Sequence, residues 1–149
     1  MEEVDLEELL TDIKISIADL ISKNNATIIE EIDKCRKIKF VRKNLKSILY
    51  NLISNGIKYR SPDREPVVTV RCETSSSSLT LLVQDNGLGI KAENIDKVFT
   101  MFKRFHDHVE GTGIGLYIVK RIIENAGGTI AVESKEGEGS MFKIHLPNS

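Results

Sequence analysis

Two glycine-punctuated turns constrain this chain more than any other feature: Asp85-Asn86-Gly87-Leu88-Gly89-Ile90 and Gly111-Thr112-Gly113-Ile114-Gly115-Leu116. The first follows Leu79, Leu81 and Val83, an alternation that reads as a strand with one face on a core. The second opens onto Leu116, Val119, Ile122, Ile123 and Ala126, a stripe at helical spacing closed by Gly127-Gly128. Glycines spaced this closely at a strand's end and a helix's start leave bare backbone where side chains would otherwise stand.

The remaining elements can be placed around those turns. Leu6, Leu9, Leu10, Ile13, Ile17, Leu20 and Ile21 predict one helix behind Asp5 as N-cap. Thr27-Ile28-Ile29 and Lys37-Ile38-Lys39-Phe40 read as short strands. A second helix, from about Arg42 to Tyr59, carries the stripe Leu45, Ile48, Leu49, Leu52 and Gly56 and ends at Ser61-Pro62-Asp63. Val67 to Glu73 and Leu79 to Gln84 read as strands joined through the polar Ser75 to Ser78. A short helix is expected over Glu93 to Val98, and strands over Thr129 to Glu133 and Met141 to Leu146, with a turn near Gly137 to Gly139. This order predicts an α/β two-layer sandwich with helices on one face. Strict β-α-β alternation is absent, which argues against a Rossmann sheet.

At 149 residues, with 40% apolar and 29% charged, the chain reads as one globular domain over residues 1–149. A net charge of -1 offers no global attraction to nucleic acid or an anionic membrane. The basic stretch from Lys34 to Lys46 reads as a solvated strand-to-helix surface. No apolar run approaches the roughly 20 residues that span a bilayer. The acidic start, Met1-Glu2-Glu3-Val4-Asp5, lacks a signal peptide's basic flank. Cys35 and Cys72 form no CxxC, which argues against a zinc or redox motif, and Cys72, in phase with Val68 and Val70, reads as a small core residue. A cytosolic domain is expected.

The polar groups fit one kind of ligand. Asn51, Asn55 and Tyr59 are spaced i, i+4, i+8 and share a helix face with Lys58. An asparagine carbonyl oxygen suits a hard cation such as Mg²⁺, and a lysine supplies a point charge for phosphate. Asp85, at a strand's end, offers an acceptor that matches adenine's 6-amino group and opposes guanine's 6-oxo group. Gly87 and Gly89 permit positive φ and close approach to a base. Gly111, Gly113 and Gly115, heading a helix, offer unpaired amides and the positive dipole end to an anion. Their spacing is neither GxGxxG nor GxxxxGK[ST]. Together the groups describe a pocket for Mg²⁺-bound ATP.

Four segments carry a specific resemblance. Asn51-Leu52-Ile53-Ser54-Asn55-Gly56-Ile57-Lys58-Tyr59, Asp85 to Ile90, Phe99-Thr100-Met101-Phe102-Lys103-Arg104-Phe105 and Gly111 to Leu116 resemble the N, G1, F and G2 boxes of sensor histidine kinases, in the family's order. The ending, Gly137-Glu138-Gly139-Ser140-Met141-Phe142 through Leu146-Pro147, is similar to that family's close. The resemblance runs from about Leu6 to Pro147. It implies the Bergerat (GHKL) ATP-binding fold, a mixed sheet of about five strands with three main helices on one face.

The same resemblance implies roles. Asn55 is expected to ligate Mg²⁺, with Asn51 on the same phosphate side. Lys58 and Tyr59 are expected to contact phosphate and nucleoside, and Asp85 to hold the adenine amine. Gly87, Gly89 and Ile90 would shape the base pocket, and Ser140 would support it through water. Amides near Gly111, Thr112, Gly113, Gly115 and Leu116 would cradle phosphate. Phe99 to Glu110 would form an ATP lid containing Phe105, with Lys103 or Arg104 reaching the γ-phosphate. The chaperone, gyrase and mismatch-repair branches of the superfamily place a glutamate where Asn51 stands. An asparagine amide is no general base, so transfer to an acceptor other than water is expected.

That acceptor is not visible in the sequence. His106, His108 and His145 lie outside any acceptor-box pattern of His-Glu/Asp followed by Arg and Pro, and no dimerisation helix pair precedes Leu6. The chain reads as the catalytic half alone, a monomer. Its partners would be a separate dimerisation and histidine-phosphotransfer domain and, indirectly, a response regulator. The competing readings are a serine-directed anti-sigma kinase, against which the F box speaks, and a catalytically silent nucleotide-dependent docking module.

Overall fold

A computed structural model describes residues 2–99 and 115–147. In chain order the first elements are β1 (Glu2–Asp5), α1 (Leu6–Ser16), α2 (Ala18–Asn24), β2 (Thr27–Glu31), β3 (Lys37–Phe40) and α3 (Arg42–Lys58). Then follow β4 (Val67–Thr74), β5 (Ser78–Asp85), a 3₁₀ helix at Ala92–Lys97, α4 (Gly115–Asn125), β6 (Thr129–Lys135) and β7 (Gly139–Pro147). Five strands form one mixed sheet in the order β2-β4-β5-β7-β6, with β2 parallel to β4 and the other pairs antiparallel. The α/β sandwich expected from the sequence is therefore present, with α3 and α4 packed against the sheet.

Alternation decides which face is covered. Val68, Val70, Cys72, Leu79, Leu81, Val83, Phe142, Ile144 and Leu146 are buried, while Thr80 and His145 stand on the opposite face with Oγ1 and Nδ1 3.0 Å apart. Against the buried face lie Leu45, Ile48, Leu49, Leu52, Ile53 and Ile57 of α3, with Val119 and Ile123 of α4. Burying that many branched aliphatic side chains, at about 1.5–3 kcal/mol each, supplies the main drive for the two layers to close.

One sequence expectation needs correction, and two further features were not foreseen. The single helix over Leu6 to Ile21 is divided at Ile17 (φ -113°, ψ 24°) into α1 and α2. Oγ atoms of Thr11 and Ser16 donate back to Glu7 O and Asp12 O at 3.0 Å each, a pattern that bends helices, and the break keeps Ile17 buried. Asp5 does cap α1, accepting from Glu8 N–H at 3.1 Å. The acidic start is not merely polar: it forms β1 antiparallel to β3, in the register Glu3↔Lys39, Val4↔Ile38, Asp5↔Lys37. Acids face lysines across the pair, and Val4 joins the core. Finally, Cys72 is a core residue, but it is paired: Cys35 lies opposite it, with Cα atoms 6.1 Å apart and the two joined as a disulfide. Separation by 37 residues hid a contact that the parallel pairing of β2 with β4, Glu31 opposite Arg71, creates.

The basic stretch is neutralised locally by Arg36–Glu7, Lys37–Glu3 and Arg42–Asp12, as a solvated surface should be. At its far end α4 closes as expected: Gly127 N–H donates to Glu124 O at 3.0 Å and Gly128 N–H to Ile123 O at 2.9 Å, the Schellman pattern. Among the described residues no helix is long and apolar enough to cross a membrane.

Candidate functional site

Three parts of the fold meet at the ends of the central strands. β5 ends at Asp85, which pairs with Val68 on one side and Ser140 on the other. The last turns of α3 pass over this point, close enough that a Cβ on Gly56 would stand 2.9 Å from Val68 Cγ2 and 3.1 Å from Asp85 Cβ. Gly56 is thus the residue that lets the asparagine-bearing helix rest on the strand carrying Asp85.

The Asp85 carboxyl is held on one side. Its Oδ1 accepts from Gly87 N–H at 2.9 Å and Ser140 N–H at 3.3 Å, and Oδ2 has no hydrogen-bond partner among the described residues. Burial pushes its pKa from 3.8 up to about 6, against the opposing pull of those two N–H groups and the charge of Arg64. A half-buried carboxylate with one oxygen anchored and one open to a ligand is suited to accept from a ligand amine.

The turn after Asp85 is fixed by backbone. Leu88 N–H donates to Tyr59 O at 2.8 Å, joining the turn to the end of α3, and Gly137 N–H donates to Leu88 O at 2.7 Å. Gly89 has the positive φ expected of it (72°), but Gly87 does not. Gly87 is required for space: its Cβ would lie 2.5 Å from Tyr59 O and 3.0 Å from Asp85 Oδ1. Gly89 faces the backbone of Lys135 rather than open pocket. Ile90 N–H donates to Ser134 Oγ at 2.7 Å, and that hydroxyl also meets Ser140 Oγ at 2.8 Å.

On α3, Asn51 Nδ2 donates back to Ser47 O at 2.7 Å, which leaves Oδ1 facing the start of α4; a Cβ on Gly115 would stand 2.7 Å from it. The first residue of the described helix therefore abuts the asparagine face, which brings Gly115, at the end of the G2 segment, beside the N segment. The Asn55 side chain makes no hydrogen bond among the described residues, and Lys58 is exposed with no ion-pair partner among them. Leu116 packs against the core. Phe99, where the F segment begins, packs edge-on to Phe142 at 6.1 Å between centroids, with Lys120 Nζ 5.6 Å from its ring centre. Lys103, Arg104, Phe105, Gly111, Thr112 and Gly113 lie outside the described residues, as do most of the expected lid and the start of the glycine-headed helix.

Sequence reasoning overlooked Arg64 and Ser134, and read Asn86 only as part of the glycine turn. Arg64 bonds the backbone of the Asp85 turn, Asn86 ties that turn to Glu65 and Val67, and Ser134 joins Ile90 to Ser140. Arg64 and Ser134 belong to no spacing pattern; only the tertiary fold brings them to this turn.

The comparisons agree with this geometry. Residues 40–149 match the family model described as histidine kinase-, DNA gyrase B- and HSP90-like ATPase. The chain belongs to that family. Within it, the chain is similar to the sensor protein RprX of Bacteroides fragilis, at 36% identity over 99% of this chain and 29% of RprX. The chain thus spans under a third of that relative's length. It also resembles the nucleotide-free catalytic domain of the histidine kinase ThkA, at 28% identity and a TM-score of 0.82 over 99% of both chains. A complex of ThkA with the response regulator TrrA gives a TM-score of 0.79 at 25% identity, over 99% of this chain and 42% of that one. These likenesses set the chain with the ATPase catalytic domains of sensor histidine kinases.

Proposed function

We propose that this chain is the ATP-binding catalytic domain, over residues 1–149, of a two-component sensor histidine kinase, moving the γ-phosphoryl group of ATP to a histidine on a separate dimerisation domain. The observation that carries this is Asp85: a half-buried carboxyl, anchored through Oδ1 alone, at the end of β5 beneath the asparagine face of α3. Adenine's exocyclic amine meets Oδ2, while Gly87, Gly89, Ile90 and Ser140 set the pocket around the base. Lys58, Tyr59 and the first amides of α4 near Gly115 and Leu116 face the nucleoside and phosphates, together with Gly111, Thr112 and Gly113. Lys103 or Arg104 neutralises charge developing on the transferred group, and Phe105 belongs to the lid over it.

The residues present fit Mg²⁺. No cluster of three or more His, Cys, Asp or Glu able to hold a metal occurs among the described residues. The Asn55 carboxamide is a neutral oxygen donor of the kind that shares Mg²⁺ with phosphate oxygens and water. When bound, the ion offsets phosphate charge; Asn55 and Asn51 orient it and the phosphates. Asn55→Ala is expected to remove Mg²⁺-dependent tightening of ATP while leaving the ATP affinity in EDTA within about twofold. Equal Mg²⁺ enhancement in both proteins would refute the role of Asn55.

The domain acts as a monomer in the cytosol, with the phosphoacceptor domain as direct partner and a response regulator further on. In a reducing cytosol Cys35 and Cys72 would stand as adjacent buried thiols. Calorimetric titration with ATP and GTP, with and without Mg²⁺, tests the reading. Selective, Mg²⁺-sensitive binding of ATP is expected, followed by phosphorylation of a supplied histidine-containing helical domain. Equal affinity for GTP would refute the adenine role, and ATP binding without transfer would refute the kinase role.

A further inference from the structure

We propose that Arg64 is a positioning residue for adenine recognition, fixing from behind the peptide units that hold the Asp85 carboxylate. The inference rests on Asp85 being the group that meets the base. Arg64 Nε donates to Asn86 O at 2.7 Å, and its Nη2 donates to Gly87 O at 3.0 Å and Gly137 O at 2.8 Å.

These carbonyls matter because of what lies on the opposite edge of each peptide plane. A trans peptide points its C=O and the following N–H in opposite directions. The plane carrying Asn86 C=O carries Gly87 N–H, the donor that anchors Asp85 Oδ1 at 2.9 Å. The plane carrying Gly87 C=O carries Leu88 N–H, which donates to Tyr59 O at 2.8 Å. Arg64 thus grips one edge of two consecutive planes whose opposite edges hold Asp85 Oδ1 and Tyr59 O. Its third bond, to Gly137, ties the same guanidinium to the β6–β7 turn, whose Gly137 N–H in turn donates to Leu88 O at 2.7 Å.

Asn86 braces the arrangement from the side. Its Oδ1 accepts from Val67 N–H at 2.8 Å and its Nδ2 donates to Glu65 O at 3.0 Å. Only a planar fork carries several N–H donors in fixed directions; a lysine ammonium in the same place is a point charge. Burial is the largest influence on the Asp85 pKa and raises it; the N–H groups of Gly87 and Ser140 and the charge of Arg64 pull the other way.

The test is ADP titration of the 149-residue chain, Arg64→Met and Arg64→Lys from pH 5 to 8, alongside NMR titration of the Asp85 carboxyl without ligand. Arg64→Met is expected to bind ADP about tenfold more weakly at pH 7 and to raise the Asp85 midpoint by about half a unit or more. Arg64→Lys should bring the midpoint back toward the wild-type value while recovering little of the affinity, because the charge returns and the fork does not. A residue that merely stabilises the fold would lower Tm and leave the midpoint where it was. Folded variants with wild-type affinity and midpoint would overturn the proposal. If Arg64→Met does not fold, Arg64→Lys decides alone: undiminished ADP affinity overturns the proposal, and a several-fold loss supports it. A wild-type chain that binds ADP no better than GDP would overturn the reading of Asp85 itself, and so is told apart from a failure at Arg64.

Discussion

Asp85→Asn is expected to make the unliganded chain more stable while costing it adenine nucleotides. Burial raises the Asp85 pKa from 3.8 to about 6, so the folded chain binds this proton more tightly than the unfolded one does. Between pH 3.8 and about 6 the folded state holds more protons, and stability falls as pH rises through that window. At neutral pH the full penalty, about 3 kcal/mol at 1.36 kcal/mol per unit, is in place. Asparagine removes it and keeps an oxygen for Gly87 and Ser140, although a Nδ2 group without a partner takes back about 1–2 kcal/mol. A net gain of about 1–2 kcal/mol and a Tm higher by a few degrees follow at pH 7. The difference between the proteins should vanish at about pH 5, where the remaining penalty matches the cost of the unpaired amide, and reverse below that.

Binding moves the other way. The amide presents N–H where adenine's amine needs an acceptor, so ADP affinity should fall by about 1–3 kcal/mol, roughly 5- to 150-fold. Wild-type affinity should itself decline as pH falls through about 6, by about tenfold per unit once the carboxyl is protonated, whereas the variant should show no such step. Thermal unfolding and ADP titration across pH 4–8 measure both effects. An Asp85→Asn chain less stable than wild type at pH 7, with the same pH profile, would show that the buried charge is not where this geometry puts it. Stability surrendered for a half-buried, ligand-directed charge is a common signature of binding sites.

Asp85 was visible before the fold because a carboxylate at a strand's end matches adenine's amine and stands in the second of four segments that occur in the family's order; alone, the same stretch reads equally as an Asn-Gly turn. The asparagine face of α3 was visible for a local reason: i, i+4, i+8 spacing places side chains together without any tertiary knowledge. What the sequence hid depended on register. Ser134 touches Ile90 and Ser140 only because β6 pairs with β7, and Arg64 reaches Gly137 across 73 residues. The β1 strand escaped notice because its three acids and one valine show no apolar alternation; its stability comes from lysines on β3 and from Val4 entering the core. Ile17 shows a local rule overruled: the helical stripe is real, but hydroxyls at Thr11 and Ser16 bond back along the helix and the chain bends to keep the stripe buried.

Glycines were the hardest to read, since the same letter answers different demands, and substitution should separate them. Gly139→Ala is expected to destabilise the chain by about 3 kcal/mol or more, against about 1–2 for Gly137→Ala. Both glycines have positive φ, 131° and 86°, so both substitutions strain the backbone. A Cβ on Gly137 would meet nothing within 4 Å, so strain is the whole effect there. At Gly139 the Cβ would run into the carbonyl of Asp85 and stand 3.0 Å from Asn86 Cα, backbone atoms that cannot rotate aside. The first residue of β7 would have to lift off the end of β5, taking Ser140 N–H away from Asp85 Oδ1. ADP affinity should therefore fall with stability in Gly139→Ala and stay near wild type in Gly137→Ala when measured well below either Tm. Urea midpoints with unchanged m-values give the stability difference. Equal losses in the two variants would mean that the β5–β7 junction tolerates a methyl group, and that Gly139 serves only the turn.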